Sequence, residues 1–239
     1  MIGHGSAATW NIEEVVPMLG EAGRIALDSL RSGVDWELKP DGSLVTVADR
    51  DIEEWLAAFL DHPELGTYLL GEETIETRDE EYLTEALCQS AWIVDPVDGT
   101  APFVNGLPQW GVSLGFARNG ILQEGGVYLP ALEQIFVTRS GNVFEGTVES
   151  PDEAVAGSID LARFDGRHQS FSQGGMIAIS QRLAREGRVP FPNPVQAIGC
   201  ALTAFVDLMR GHYMAFLADM KLWDVAACFP MLEAMGFAG

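Results

Sequence analysis

Basic residues are scarce. Against 35 aspartates and glutamates, the 239-residue chain carries 14 lysines and arginines, a net charge of −21. Such a field repels phosphodiester backbones and anionic lipid surfaces, so neither nucleic acid nor a membrane is an expected partner. It also disfavours an anionic small molecule unless bound cations reverse the local sign. Cysteine is sparse too: Cys88, Cys200 and Cys228 lie far apart with no CxxC. That excludes a disulfide framework and fits a reducing, cytoplasmic setting. The histidines, His4, His62, His168 and His212, are scattered and sit at no ligand spacing from a cysteine, so no zinc site is expected. No apolar run approaches the roughly 20 residues that span a bilayer. The opening stretch MIGHGSAATW lacks the charged and apolar regions of a signal peptide. What is present is 47% apolar and 9% aromatic residues. That is enough for a real core, in a length suiting one large domain or two small ones.

Asn11 opens a helical pattern in which Val15, Met18, Leu19, Ala22, Ile25, Ala26 and Leu30 recur at i, i+3/i+4 spacing. Glu14 follows as in a capping box, and Gly33 marks the end. KPDGS (39–43) reads as a turn. A second helix is predicted from near Thr46, with Ile52, Trp55, Leu56, Phe59 and Leu60 on one face. Leu69 and Leu70 form a short strand running into Gly71, Glu72 and Glu73. Trp92 to Val94 form another strand, buried by its unbroken apolar character. Residues 110–146, punctuated by Gly, Pro and Asn, read as an antiparallel meander. Residues 148–175 carry no clear pattern. Beyond them the sequence predicts a helix near 175–186, a short strand, a helix from Leu202 to Arg210, a strand at 212–218 and a last helix over 223–236. That order predicts a layered α+β architecture, with a front half (1–145) and a back half (146–239) in one compact unit.

Carboxylates gather where predicted elements begin or end: VTVAD (45–49), GEE (71–73), DPVDGT (95–100) and WD (223–224). Their oxygens are hard donors suited to Mg²⁺, Ca²⁺ or Mn²⁺. In DPVDGT, Pro96 fixes the backbone and Gly99 permits close approach. A turn of this kind can point Asp95 and Asp98 the same way and leave the Val97 carbonyl as a further oxygen donor. A helix opening after Gly99 would aim free N–H groups at the same point, where they suit phosphate. Two carboxylates about 4 Å apart repel by about 4 kcal/mol at an effective dielectric of roughly 20. Converging acids therefore call for a cation, and a divalent ion also supplies a Lewis acid for phosphoryl oxygens. Each segment has an ordinary reading as well: Asp49 can complete a capping box with Thr46, Asp224 can cap its own helix, Glu pairs are common on surfaces, and Asp-Pro and Asp-Gly are common turn pairs.

In series, VTVAD, GEE, DPVDGT and WDVAA resemble the inositol monophosphatase family of Mg²⁺-dependent, lithium-sensitive phosphatases. GLPQWGVSLGFARNG, GGVYLPALEQIF and IGCALTAFVDLMRG carry the likeness between them. The resemblance implies a layered α-β-α-β-α sandwich of the sugar-phosphatase type, a homodimer and two to three Mg²⁺ ions per site. It implies that Glu72, Asp95 and the Val97 carbonyl hold a first ion, and Asp95, Asp98 and Asp224 a second, with a third leaning on Glu72 through water. Asp49, Glu72 and Thr100 would orient and deprotonate the attacking water. Gly99 and Thr100 would give backbone N–H groups to phosphate, and Gly199, Cys200 and Ala201 would line the alcohol side.

The implied activity is hydrolysis of a small polyol phosphate such as inositol 1-phosphate. KPDGSLVTVADR and GLPQWG also resemble the histidinol-phosphate phosphatase branch, and a catalytically weak regulatory or binding homologue is the reading of a different class. Three departures bear on this. Ala101 and Pro102 replace the polar pair, often Thr-Asn, that usually follows DGT in the family. Leu217 replaces a Glu that in many inositol phosphatases grips a substrate hydroxyl, with Asp219 as the nearby acid that could stand in for it. The family normally continues past the helix after WD, whereas this chain stops at Gly239. The apolar residues of FPMLEAMGF are therefore expected to need cover, as from a partner subunit.

Overall fold

The computed structural model describes residues 9–187 and 191–237, so most of the opening stretch read for a signal peptide lies outside it. The chain begins with α1 (Ile12–Ser32), a hairpin of β1 (Trp36–Leu38) and β2 (Leu44–Thr46), α2 (Val47–Leu60), β3 (Thr67–Gly71) and α3 (Glu80–Cys88). β4 (Ser90–Asp98) and the short α4 (Thr100–Val104) follow, then β5 (Gly111–Arg118), β6 (Ile121–Leu129), β7 (Gln134–Arg139) and β8 (Asn142–Thr147). The remainder is α5 (Pro151–Val155), β9 (Ala162–Arg163), β10 (Ile177–Ser180), α6 (Gln181–Glu186), β11 (Val195–Ile198), α7 (Ala201–Met209), β12 (Ala215–Leu217), α8 (Leu222–Ala226) and α9 (Cys228–Ala234).

The helix starts predicted at Asn11 and Thr46 are found, although Asn11 forms no capping box with Glu14. Asn11 caps α1 by accepting from the Glu13 amide, and Thr46 caps α2 in a full capping box with Asp49. The main sheet runs β3-β4-β5-β6-β7-β8-β9, parallel only between β3 and β4, which contains the expected meander. A second sheet, β11-β10-β12, is parallel throughout. Side chains on a strand alternate between faces, and the main sheet uses both. Tyr128, Ile135 and Val137 join Val15, Leu19, Ile52 and Leu56 of α1 and α2 in one core. Val127, Leu129 and Phe136 join Leu202, Phe205, Met209 and Met231 of α7 and α9 in another. The result is the mixed, layered α/β architecture read from the sequence. No helix among the described residues is long and apolar enough to cross a membrane.

Three local expectations are corrected. β4 does not stop before the acids but continues through Asp98, every residue buried. The helix expected over 175–186 starts only at Gln181, because Ile177–Ser180 pairs as β10 and Ser180 caps α6. The single last helix is two, α8 and α9. Pro230 lacks an N–H, and its ring crowds the carbonyl four residues back, Ala226, where α8 ends.

α8 and α9 lie very close to the sheet. A Cβ on Gly125 would be 1.9 Å from the Ala227 carbonyl oxygen, and one on Gly115 would be 2.7 Å from the Ala226 Cβ. Backbone cannot yield there as a flexible side chain would. Gly125→Ala is therefore expected to destabilise the chain by about 1–3 kcal/mol in urea unfolding, the usual cost of overpacking. It should also lift α8, and Asp224 with it, away from β4.

Candidate metal centre

The central problem is Asp95 and Asp98, three apart on one strand. Strict alternation would send them to opposite faces. β4 resolves this by slipping register: Asp95 pairs with Ser113 and Asp98 with Gly111, so Pro96 and Val97 together oppose the single Val112. Proline cannot donate to a ladder and is at home in such a bulge. The extra residue brings both aspartates to one side. There, with Asp224, each offers an oxygen within 4.8 Å of the others, the one group of three or more such ligands among the described residues.

Asp98 does more than face this cluster. Its Oδ1 accepts from the Ala201 amide at 3.1 Å, and its Oδ2 from the Leu202 amide at 2.6 Å and the Cys200 thiol at 2.9 Å. It thus caps α7 across 102 residues of sequence. Burial pushes its pKa up, against the pull of these bonds and of the Gly99 amide. Asp224 accepts from the Lys221 amide at 2.7 Å, closing the first turn of α8. Burial, that bond notwithstanding, raises it to about 6.

Asp49 sits on the first turn of α2, 1% exposed, its Oδ2 accepting from the Thr46 amide at 2.8 Å and the Thr46 hydroxyl at 2.6 Å. Burial raises it to about 6, those bonds opposing. Glu72 follows β3, its amide donating to the Val94 carbonyl at 3.3 Å. Lys39, directly after β1 where the β1–β2 turn begins, reaches Glu72 at 2.9 Å and Glu73 at 2.6 Å. Burial nevertheless lifts Glu72 to about 7, with Glu73 and Asp49 adding to it. Burial works to lower Lys39, but the two glutamates overcome it and hold the ammonium charged.

Asp95 is the hub. It is 1% exposed, and its pKa is driven well up by burial and then by Glu72, Asp98, Asp224 and Asp49. The five acids from four sequence segments are thus one electrostatic group. Asp95 Oδ1 is buried without any hydrogen-bond partner. A buried carboxyl oxygen with no partner, which can ionise only among like charges, is a costly arrangement that a hard cation relieves. The donor set is all oxygen and fits Mg²⁺.

The remaining predicted residues fall nearby in unequal ways. Gly99 has φ +84°, and a Cβ there would meet the Gln109 carbonyl at 2.7 Å and the Cys200 Cβ at 2.8 Å, so only glycine fits. Thr100 opens α4, and its hydroxyl donates to the Val97 carbonyl at 3.2 Å. Thr100 and Asp49 are each engaged within their own segments. Cys200 and Ala201 touch Asp98, while Gly199 lies against Pro102 on the wall of a cavity of about 740 Å³ that Ala101 and Thr203 also line. Asp219 is held by Arg182 at 2.8 Å, both largely exposed, and Leu217 is half-buried at the end of β12. Sequence reading missed Lys39 as a partner of Glu72 and the cap that Asp98 gives α7. The first depends on how a hairpin folds back, the second on a contact between distant segments.

The raised carboxylates fix a pH dependence for the metal-free chain. Their unfolded values lie at roughly 4, while Asp49 and Asp224 sit at about 6 and Glu72 at about 7. Between these limits the folded state binds more protons than the unfolded one, so stability falls as pH rises through the window. Thermal unfolding of the chelator-treated protein should show a higher Tm at pH 5 than at pH 8. Added Mg²⁺ should raise Tm more at pH 8.

The sequence profile of the inositol monophosphatase family matches residues 12–238. The chain is similar to the inositol-1-monophosphatase of Mesorhizobium japonicum, 29% identical over 184 residues, which is 77% of this chain and 53% of that protein. It is also 29% identical to inositol monophosphatase 1 of Bos taurus over 131 residues, 54% of this chain and 46% of that one. The chain thus spans about half the length of these curated relatives. Among solved structures, the extragenic suppressor protein suhB from Bartonella henselae superposes with TM-score 0.66 at 21% identity, covering 93% of this chain and 83% of that one. An IMPase/NADP phosphatase complexed with Mg²⁺ and phosphate gives TM-score 0.70 at 19% identity, covering 91% and 78%. These likenesses show the fold. With the profile matched across nearly its whole length, the chain belongs to the inositol monophosphatase family.

Proposed function

We propose that the protein is a Mg²⁺-dependent phosphomonoesterase acting on a small polyol phosphate of the inositol 1-phosphate kind. The observation that carries this reading is the partnerless Asp95 Oδ1 at the meeting point of the acids. In this reading Glu72, Asp95 and the Val97 carbonyl hold one ion, and Asp95, Asp98 and Asp224 a second. Bound Mg²⁺ would lower the pKa of a coordinated water and neutralise charge on the phosphoryl and leaving oxygens.

The chain's own residues do the rest. The bulge in β4 fixes the separation of Asp95 and Asp98 before any ligand arrives. Thr46 holds one oxygen of Asp49, which steadies that carboxylate as an acceptor for the attacking water together with Glu72 and Thr100. Gly99 and Thr100, where β4 gives way to α4, would supply N–H groups for phosphate, the Gly99 amide being shared with Asp98. Gly199, Cys200 and Ala201 border the alcohol side, and α7 keeps its first turn tied to Asp98. Lithium sensitivity, a homodimer and a cytoplasmic setting belong to the same reading.

The alcohol side separates candidate substrates. Ala101, Pro102 and Leu217 offer no hydrogen bonds from their side chains where the family commonly has polar ones, so recognition by polar contacts is thinner here. Histidinol phosphate is the alternative substrate. Phosphate release with Mg²⁺, measured on inositol 1-phosphate, histidinol phosphate and related esters, should show turnover on at least one polyol or amino-alcohol phosphate. A folded, metal-bound protein with none would instead point to the regulatory or binding homologue.

The choice of variant matters. Asp98→Asn would turn an amide NH₂ against the donors of α7, mixing loss of chemistry with loss of stability. Asp95→Asn avoids this. It should cut Mg²⁺-dependent phosphate release by at least about 100-fold, while raising the Tm of the metal-free protein most at high pH, where the wild-type carboxyl is forced to ionise among like charges.

A further inference from the structure

α2 carries two buried carboxylates one turn apart. Asp49 belongs to the acidic group; Glu53, also 1% exposed, faces the Glu72–Glu73 turn instead. Its Oε2 accepts from the Glu73 amide at 2.9 Å, and the Thr74 hydroxyl and amide stabilise the carboxylate too, against the burial that raises its pKa. The carboxyl fills the space above Gly71, where a Cβ would lie 2.1 Å from Glu53 Cδ. Gly71 ends an extended strand, a conformation any residue adopts, so glycine is needed there for room.

The turn that carries Glu72 is therefore held from both sides. The Glu72 amide is tied to the Val94 carbonyl of β4, and the Glu73 amide is tied to Glu53 of α2. We infer that Glu53 is a positioning residue for the metal centre: its carboxylate, seated over Gly71, fixes the backbone that aims Glu72 at the cation. It acts on the centre through the backbone of the Glu72–Glu73 turn. This role rests on reading the acids as a metal centre. It also accounts for the first residue of GEE, which the acids themselves do not explain.

The test is Mg²⁺ binding by calorimetry on the whole chain, which needs no turnover. It compares wild type with Glu53→Gln, Glu53→Asp and Gly71→Ala. Glutamine keeps an acceptor at the same reach, aspartate falls one methylene short, and alanine at 71 pushes the carboxyl aside. Glu53→Gln should bind Mg²⁺ within about threefold of wild type, whereas Glu53→Asp and Gly71→Ala should each weaken it by at least about tenfold. In turnover, the Mg²⁺ concentration for half-maximal rate should rise by the same factor, with the rate at saturating Mg²⁺ little changed. Should Glu53→Asp fail to unfold cooperatively, Gly71→Ala against Glu53→Gln makes the same decision. Unaltered affinity in the folded variants overturns the role, as does a Glu53→Gln as weak as Glu53→Asp, which would make charge decisive. A wild type that binds no Mg²⁺ overturns the metal-centre reading itself.

Discussion

Five carboxylates drawn out of water repel one another, and the fold is arranged so that most of them have something else to hold. Asp49 accepts from Thr46 at the start of α2, Asp98 from Ala201 and Leu202 at the start of α7, and Asp224 from Lys221 at the start of α8. Glu72 is paired with Lys39. A negative group at a helix N-terminus is favourable in itself, so three of the acids stabilise secondary structure while they crowd the centre. Asp95 has no such arrangement for Oδ1, and the repulsion collects there. A cation at that atom would complete a site that is otherwise already built.

This dual use resolves an ambiguity in the sequence. Asp49 reads equally well as a helix cap and as a member of a catalytic group, and Asp224 as a cap or a ligand. In the structure the capping bonds and the convergence coexist, because a carboxylate has two oxygens and about four acceptor directions. One reading does not count against the other.

Much of the architecture was legible because it rests on local signals. The caps at Asn11 and Thr46, the period of α1 and α2, and the punctuation of the meander were all read directly. The bulge in β4 was not, because nothing short of the pairing with β5 says that Pro96 and Val97 share one opposite residue. The boundary of α6 was misplaced because Ile177–Ser180 is apolar enough for either state, and only its parallel neighbours β11 and β12 decide it. The acids were found from their residue types and Thr46 from its capping spacing, but the partners in distant segments were not. Lys39 reaches Glu72 across 33 residues and Cys200 reaches Asp98 across 102, and no pattern within one segment encodes either contact. The substrate side was the least legible, since Ala101, Pro102 and Leu217 say what is missing rather than what is bound.

The claim on which everything else turns is that Asp95 Oδ1 is a metal ligand. A crystal grown with Mn²⁺ and phosphate, read by anomalous scattering, tests it without reference to substrate. The account predicts an ion at roughly 2.0–2.3 Å from Asp95 Oδ1, shared with Asp98 and Asp224. Loaded crystals with no ion in reach of that atom, and with the carboxyl hydrogen-bonded to protein or water instead, would contradict it.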